Sequence, residues 1–237
     1  MTDDEKRLTA YHEAGHALVG LRTPGNDPLH KVTIIPRGRA LGVTMNLPDR
    51  DRYAFSKREL QARLAMMFGG RIAEELVFGP ENVTTGAGND IQQATNLARR
   101  MVTEWGMSDA LGRLRYSDNE DQIFLGRAIT HTQNVSDETA RLIDTEVRLL
   151  IEQAEATAHG VLGEDLDGLH AIAEALLAFE TLTGDEVRTI LAGGSVVRDD
   201  HPGEDRPPSK TSVPPVGDGI VPRRRPVVGG PQVQPQG

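Results

Sequence analysis

The sequence predicts a mainly α fold with a small β-sheet inserted after the first helix. Three observations carry that expectation. Two capping boxes, Thr2-Asp3-Asp4-Glu5 and Ser56-Lys57-Arg58-Glu59, each announce a helix. Two short β-type runs lie between those helices. After Ser136, Ile143, Val147, Leu150, Ile151, Ala154, Ala158 and Val161 repeat at helical period, giving a long helix one apolar stripe.

The elements follow in chain order. The first capping box opens a helix that runs to about Leu21, where Thr23-Pro24-Gly25 ends it. Residues 30–35 and 40–47 read as strands, with Pro36-Arg37-Gly38 turning between them. The second capping box opens a helix to about Phe78, stopped by Gly79-Pro80. A Gly-rich loop, Thr85-Gly86-Ala87-Gly88, precedes a helix over about 89–105. Residues 111–124 read as loop or short strand. A long helix then covers 136–162, followed by shorter ones over 166–179 and 184–192.

Composition divides the chain at about residue 195. Residues 1–195 read as one domain with 20 basic and 30 acidic side chains. Nine of the 14 prolines fall in 202–235, mixed with Gly, Ser and Gln, so 196–237 reads as a disordered tail. The net charge of −9 sets nucleic acid aside as an expected partner. The absence of cysteine excludes disulfides, thiolate metal sites and a Cys nucleophile. No apolar run approaches the roughly 20 residues needed to span a bilayer, and the acidic N-terminus is unlike a signal peptide. The chain by itself is expected to be soluble and without membrane contact.

The first helix carries His12-Glu13-Ala14-Gly15-His16. Two histidines four residues apart share one helical face and can hold one zinc ion, with Glu13 beside them as a base. Gly15 inside the helix costs roughly 1 kcal/mol against alanine; a neighbouring element lying against it would account for its presence. Catalytic zinc sites have three protein ligands, so a third is required. The extended motif fails, because Val19 and Arg22 stand where its Gly and third His belong. His30, His131, Glu74, Glu75 and Asp90 are the candidates. His30 sits at a strand start and His131 in a polar loop; the residues themselves leave Glu74, Glu75 and Asp90 open.

The segment Leu8–Ala17 resembles the peptidase domain of FtsH-type proteases, the membrane-anchored, ATP-dependent zinc proteases of bacteria and organelles. His30–Gly38, Ala40–Thr44, Gly69–Glu75, Thr85–Ile91, Ala94–Arg99 and Ser136–Thr139 resemble the same family, so the likeness covers about 1–192. It implies an FtsH-like zinc peptidase fold and an endopeptidase that cuts unfolded or unstable proteins. It implies one zinc ion per chain on His12, His16 and Asp90, with Glu13 as the catalytic base and Glu74 and Glu75 in supporting places. It further implies polypeptide substrates, a homo-hexamer, and a full-length protein on the cytoplasmic side of the cell membrane. ATP would be needed only by an ATPase module, and no Gly-x-x-x-x-Gly-Lys-Ser/Thr loop occurs in this chain. Residues 41–47 are expected to offer a sheet edge to substrate. The long apolar-striped helix offers packing surface for oligomerisation.

Overall fold

The computed structural model describes residues 1–36, 38, 41–48, 53–116, 135–196 and 198. Six helices and a three-stranded sheet make up the described fold. Helix α1 spans Asp3–Arg22, and strands β1 and β2 span Leu29–Thr33 and Val43–Asn46. Helix α2 spans Lys57–Phe78, then two 3₁₀ turns, Pro80–Asn82 and Thr85–Ala87, lead into α3, Gly88–Thr103. Helices α4 (Asp137–Glu164) and α5 (Leu166–Phe179), strand β3 (Thr181–Thr183) and helix α6 (Gly184–Leu191) complete the order. These elements lie within the compact unit Met1–Val197.

Local chemistry sets the helix starts. Thr2 and Ser56 form reciprocal capping boxes with Glu5 and Glu59, and Thr183 forms a third with Glu186. Each such cap is worth about 1 kcal/mol. The expected Gly-rich loop is instead a 3₁₀ turn, because the Thr84 side chain accepts the Gly86 N–H and tightens it. The stripe of α4 is buried at Ile143, Val147, Leu150, Ala154 and Ala158, while Ile151 and Val161 at its margin are half-buried and Leu162 is buried in addition.

The sheet has the order β2-β1-β3, antiparallel throughout, with Val32 opposite Thr44 on one side and Leu182 on the other. Among the described residues β2 therefore keeps one edge unpaired. Strand β3 was not foreseen. Its three residues follow Glu180, which leaves α5 in a left-handed conformation (φ 59°). The Glu180 carbonyl accepts the N–H of Ile34 and the hydroxyl of Thr33, fastening the end of α5 to β1.

Helix α1 lies at the centre, packed on α2, α4, α5 and β1. Its approach to α2 leaves no room for side chains. A Cβ on Gly15 would collide with the Gly69 carbonyl and come 2.6 Å from the Ala73 Cβ. A Cβ on Gly69 would lie 2.5 Å from the Gly15 carbonyl oxygen. The neighbouring element expected beside Gly15 is thus α2. Among the described residues no helix is long and apolar enough to cross a membrane. Apart from Val196 and Arg198, the tail expected over 196–237 lies outside the described residues, as do His131 and the 117–124 part of the loop.

Gly15→Ala distinguishes a required contact from a weak point in the helix. A free helical position would gain about 1 kcal/mol from alanine. Here the obstacle is backbone, which cannot swing aside, so we expect a net loss of about 1–3 kcal/mol, read as a lower melting temperature of the domain.

Candidate metal centre

His12 and His16 stand one turn apart on the face of α1 that meets α2. The opposing position on α2 is Gly70. A Cβ there would lie 2.5 Å from His12 Nε2 and 2.6 Å from His16 Nε2. Glycine at 70 is what gives both rings their space.

Each ring is held through its Nδ1. His12 Nδ1 lies 2.7 Å from Glu74 Oε1, and His16 Nδ1 lies 2.8 Å from the Met66 carbonyl. Both partners are acceptors, so each Nδ1 carries the proton and each Nε2 is presented to the cleft. Glu74 is fully buried. Its other oxygen accepts the Thr84 N–H at 2.8 Å. One carboxylate thus fixes a histidine of α1 and the turn that launches α3.

Asp90 stands in the first turn of α3. Its Oδ2 lies 3.4 Å from His12 Nε2 and 3.5 Å from His16 Nε2, while the two Nε2 atoms are 3.0 Å apart. Zinc bonds of about 2.0–2.2 Å to N and O in a tetrahedron place ligand atoms about 3.3–3.5 Å apart. The triangle of Nε2, Nε2 and Oδ2 has two sides of that length, from Asp90 Oδ2, and a slightly shorter Nε2–Nε2 side of 3.0 Å, and its two imidazoles and one carboxylate suit zinc. Among the described residues it is the one group of three or more His, Asp or Glu side chains so converged. His30 is exposed on β1 and Glu75 is half-buried on α2; neither joins the cluster.

The electrostatics belong to a site that gathers positive charge. Burial works against a charged His12, but hydrogen bonds to Asp90 and Glu74 outweigh it and hold its pKa up at about 9. Burial also works against a charged Asp90, yet its bonds to His12 and His16 prevail and keep it well below the usual carboxylate range. Glu74 is lowered in the same way, with burial opposed by His12 and Thr84.

Glu13 is buried beside this cluster, and its Oε2 accepts a 2.6 Å hydrogen bond from Thr44 on β2. All four residues open on a cleft of about 1490 Å³ whose wall includes Gly42–Asn46. Sequence reasoning named His12, Glu13, His16 and Asp90 but not the parts played by Glu74, Gly70, Thr44 or the Met66 carbonyl. The pair Gly69-Gly70 inside α2 was the available signal, since two consecutive helical glycines mark close approach.

A His-Glu-x-x-His helix facing a third ligand across a cleft is the arrangement of the zinc metallopeptidase class. Within that class, the chain belongs to peptidase family M41, whose sequence profile matches residues 1–190. It is similar to the ATP-dependent zinc metalloprotease FtsH of Caulobacter vibrioides, 54% identical over 193 residues, covering 81% of this chain and 31% of that protein. It is similar also to the FtsH proteins of Photobacterium profundum (48% over 198 residues, 84% and 28%) and Haemophilus influenzae (49% over 191 residues, 81% and 30%). The chain spans about a third of the length of these curated relatives.

Removing Glu74 is expected to weaken metal binding without removing a ligand. Glu74→Ala should cost about 10–100-fold in zinc affinity, and Asp90→Asn should cost more. Titration against a chromogenic chelator measures both. An Asp90→Asn protein that binds zinc like the parent would return Glu74 or Glu75 to consideration as the third ligand.

Proposed function

We propose that the chain is a zinc-dependent endopeptidase domain that hydrolyses internal peptide bonds. The observation that carries this reading is the zinc-sized triangle of His12, His16 and Asp90, with a buried carboxylate, Glu13, beside it in an open cleft. Zinc held there would supply Lewis acidity, acidifying a water and polarising the scissile carbonyl.

The chain's own residues supply the rest. Glu13 accepts a proton from the attacking water and returns it to the departing amine, acting as base and then as acid. Glu74 and the Met66 carbonyl keep the His12 and His16 rings from turning. The edge of β2 that is unpaired among the described residues lies in the cleft wall and can take a substrate segment as an added strand, through main-chain hydrogen bonds that demand no particular sequence. Such pairing suits extended, unfolded polypeptide. The FtsH relatives carry the name ATP-dependent zinc metalloprotease. We place this domain as the proteolytic part of such a protein, a membrane-anchored homo-hexamer with its active sites on the cytoplasmic side and with ATP used by a separate module.

Glu13→Gln tests the base. We expect zinc stoichiometry to be unchanged and cleavage of an unfolded casein-type substrate to fall by at least about 10²-fold. Metal analysis and the cleavage assay on the same preparation check both halves; retained turnover would sink the assignment. Chelation should abolish cleavage and added zinc should restore it. A tightly folded substrate should resist cutting where its unfolded form does not.

A further inference from the structure

We infer that Thr44 is a positioning residue for the Glu13 carboxylate, so that the strand offering its edge to substrate also sets the geometry of the base. This rests on the reading of Glu13 given above.

Glu13 is 6% exposed, and a buried carboxylate needs donors. Among the described residues its oxygens have one hydrogen-bond donor, the Thr44 hydroxyl, at 2.6 Å from Oε2. That length belongs to a charge-assisted O–H···O⁻ bond. The same hydroxyl lies 3.2 Å from the Glu13 main-chain oxygen. It has one proton to give, and the shorter contact to a charge takes it.

Gly42 completes the arrangement. A Cβ there would lie 2.6 Å from Glu13 Cγ and 2.7 Å from Oε1. Positions 42 and 44 are two apart, on one face of an extended chain. One holds the carboxylate and the other leaves the space it fills. Thr44 of β2 and Gly42, the residue just before that strand, thus converge on a side chain of α1, although neither supplies a ligand to the cluster.

The placement matters because, among the described residues, β2 pairs with β1 on one side only. A polypeptide added along the open edge would fix the β2 main chain, and with it the Thr44 hydroxyl. Substrate docking and alignment of the base would then share one rigid element. A purely structural Thr44, tying β2 to α1, would affect stability and substrate binding but not the chemical step selectively.

The test compares zinc-loaded wild-type full chain with Thr44→Val, Thr44→Ser, Gly42→Ala and Glu13→Gln on a fluorogenic peptide. We expect Thr44→Val to lower kcat about 10–100-fold with KM within about threefold, as befits an interaction expressed in the transition state. Zinc affinity should match wild type. Thr44→Ser, which keeps the hydroxyl, should stay within about threefold of wild-type kcat. Gly42→Ala should reproduce the kcat loss with Thr44 intact, which keeps the test open should Thr44→Val fold poorly. A crystal structure of zinc-loaded Thr44→Val should show the Glu13 carboxylate moved from its wild-type place. Wild-type kcat in both Thr44→Val and Gly42→Ala, beside an inactive Glu13→Gln, would overturn the proposal while leaving the base intact. An effect confined to KM, or an unmoved carboxylate, would also overturn it. Turnover by Glu13→Gln would instead remove the reading on which the proposal rests.

Discussion

The backbone contact between α1 and α2 is the constraint from which the site follows. Gly15 and Gly69 meet with no side chain between them, and a methyl group on either would strike main-chain atoms. Glycine in a helix interior is unfavourable by about 0.8–1.0 kcal/mol against alanine, and α2 carries two in succession. What the arrangement achieves is proximity. With the helix backbones that close, the imidazoles of His12 and His16 fit over Gly70, and acceptors on α2 come within reach of both rings.

From that contact a polar chain runs outward without a gap. The Met66 carbonyl holds His16, Glu74 holds His12, and the second oxygen of Glu74 holds the Thr84 backbone. Thr84 in turn caps the 3₁₀ turn that leads to Asp90. A polar network of this kind, buried at Glu74 and His16, is rigid there when every member is satisfied and costly when one is not. It explains how an aspartate from a separate helix arrives at 3.4–3.5 Å from two nitrogens of α1. On the other flank, β2 reaches Glu13 through Thr44, so sheet and helices meet at the proposed base.

The parts of the fold legible in the sequence were those written in local chemistry. Helix starts at Asp3 and Lys57 follow capping boxes whose partners are three residues apart. The buried face of α4 follows from its period. Strand β3 was not legible, because three residues carry no pattern and its partner β1 lies about 150 positions earlier. The site divided the same way. His12, Glu13 and His16 share one helical turn and could be read directly. The third ligand could not, since Glu74, Glu75 and Asp90 sit on other helices and only tertiary packing sets their distance to His12; likeness to a known family pointed to Asp90. The role of Glu74 depends on a contact 62 residues away in sequence, which spacing does not encode.

The central claim is that His12, His16 and Asp90 together hold one zinc ion. Anomalous diffraction at the zinc edge, on crystals of the zinc-loaded chain, tests it most directly. The account predicts a single strong peak per chain bonded to His12 Nε2, His16 Nε2 and an Asp90 carboxylate oxygen, with Glu74 remaining on His12 Nδ1. A peak bonded to Glu74 or Glu75 in place of Asp90, or one that leaves either histidine free, would contradict it.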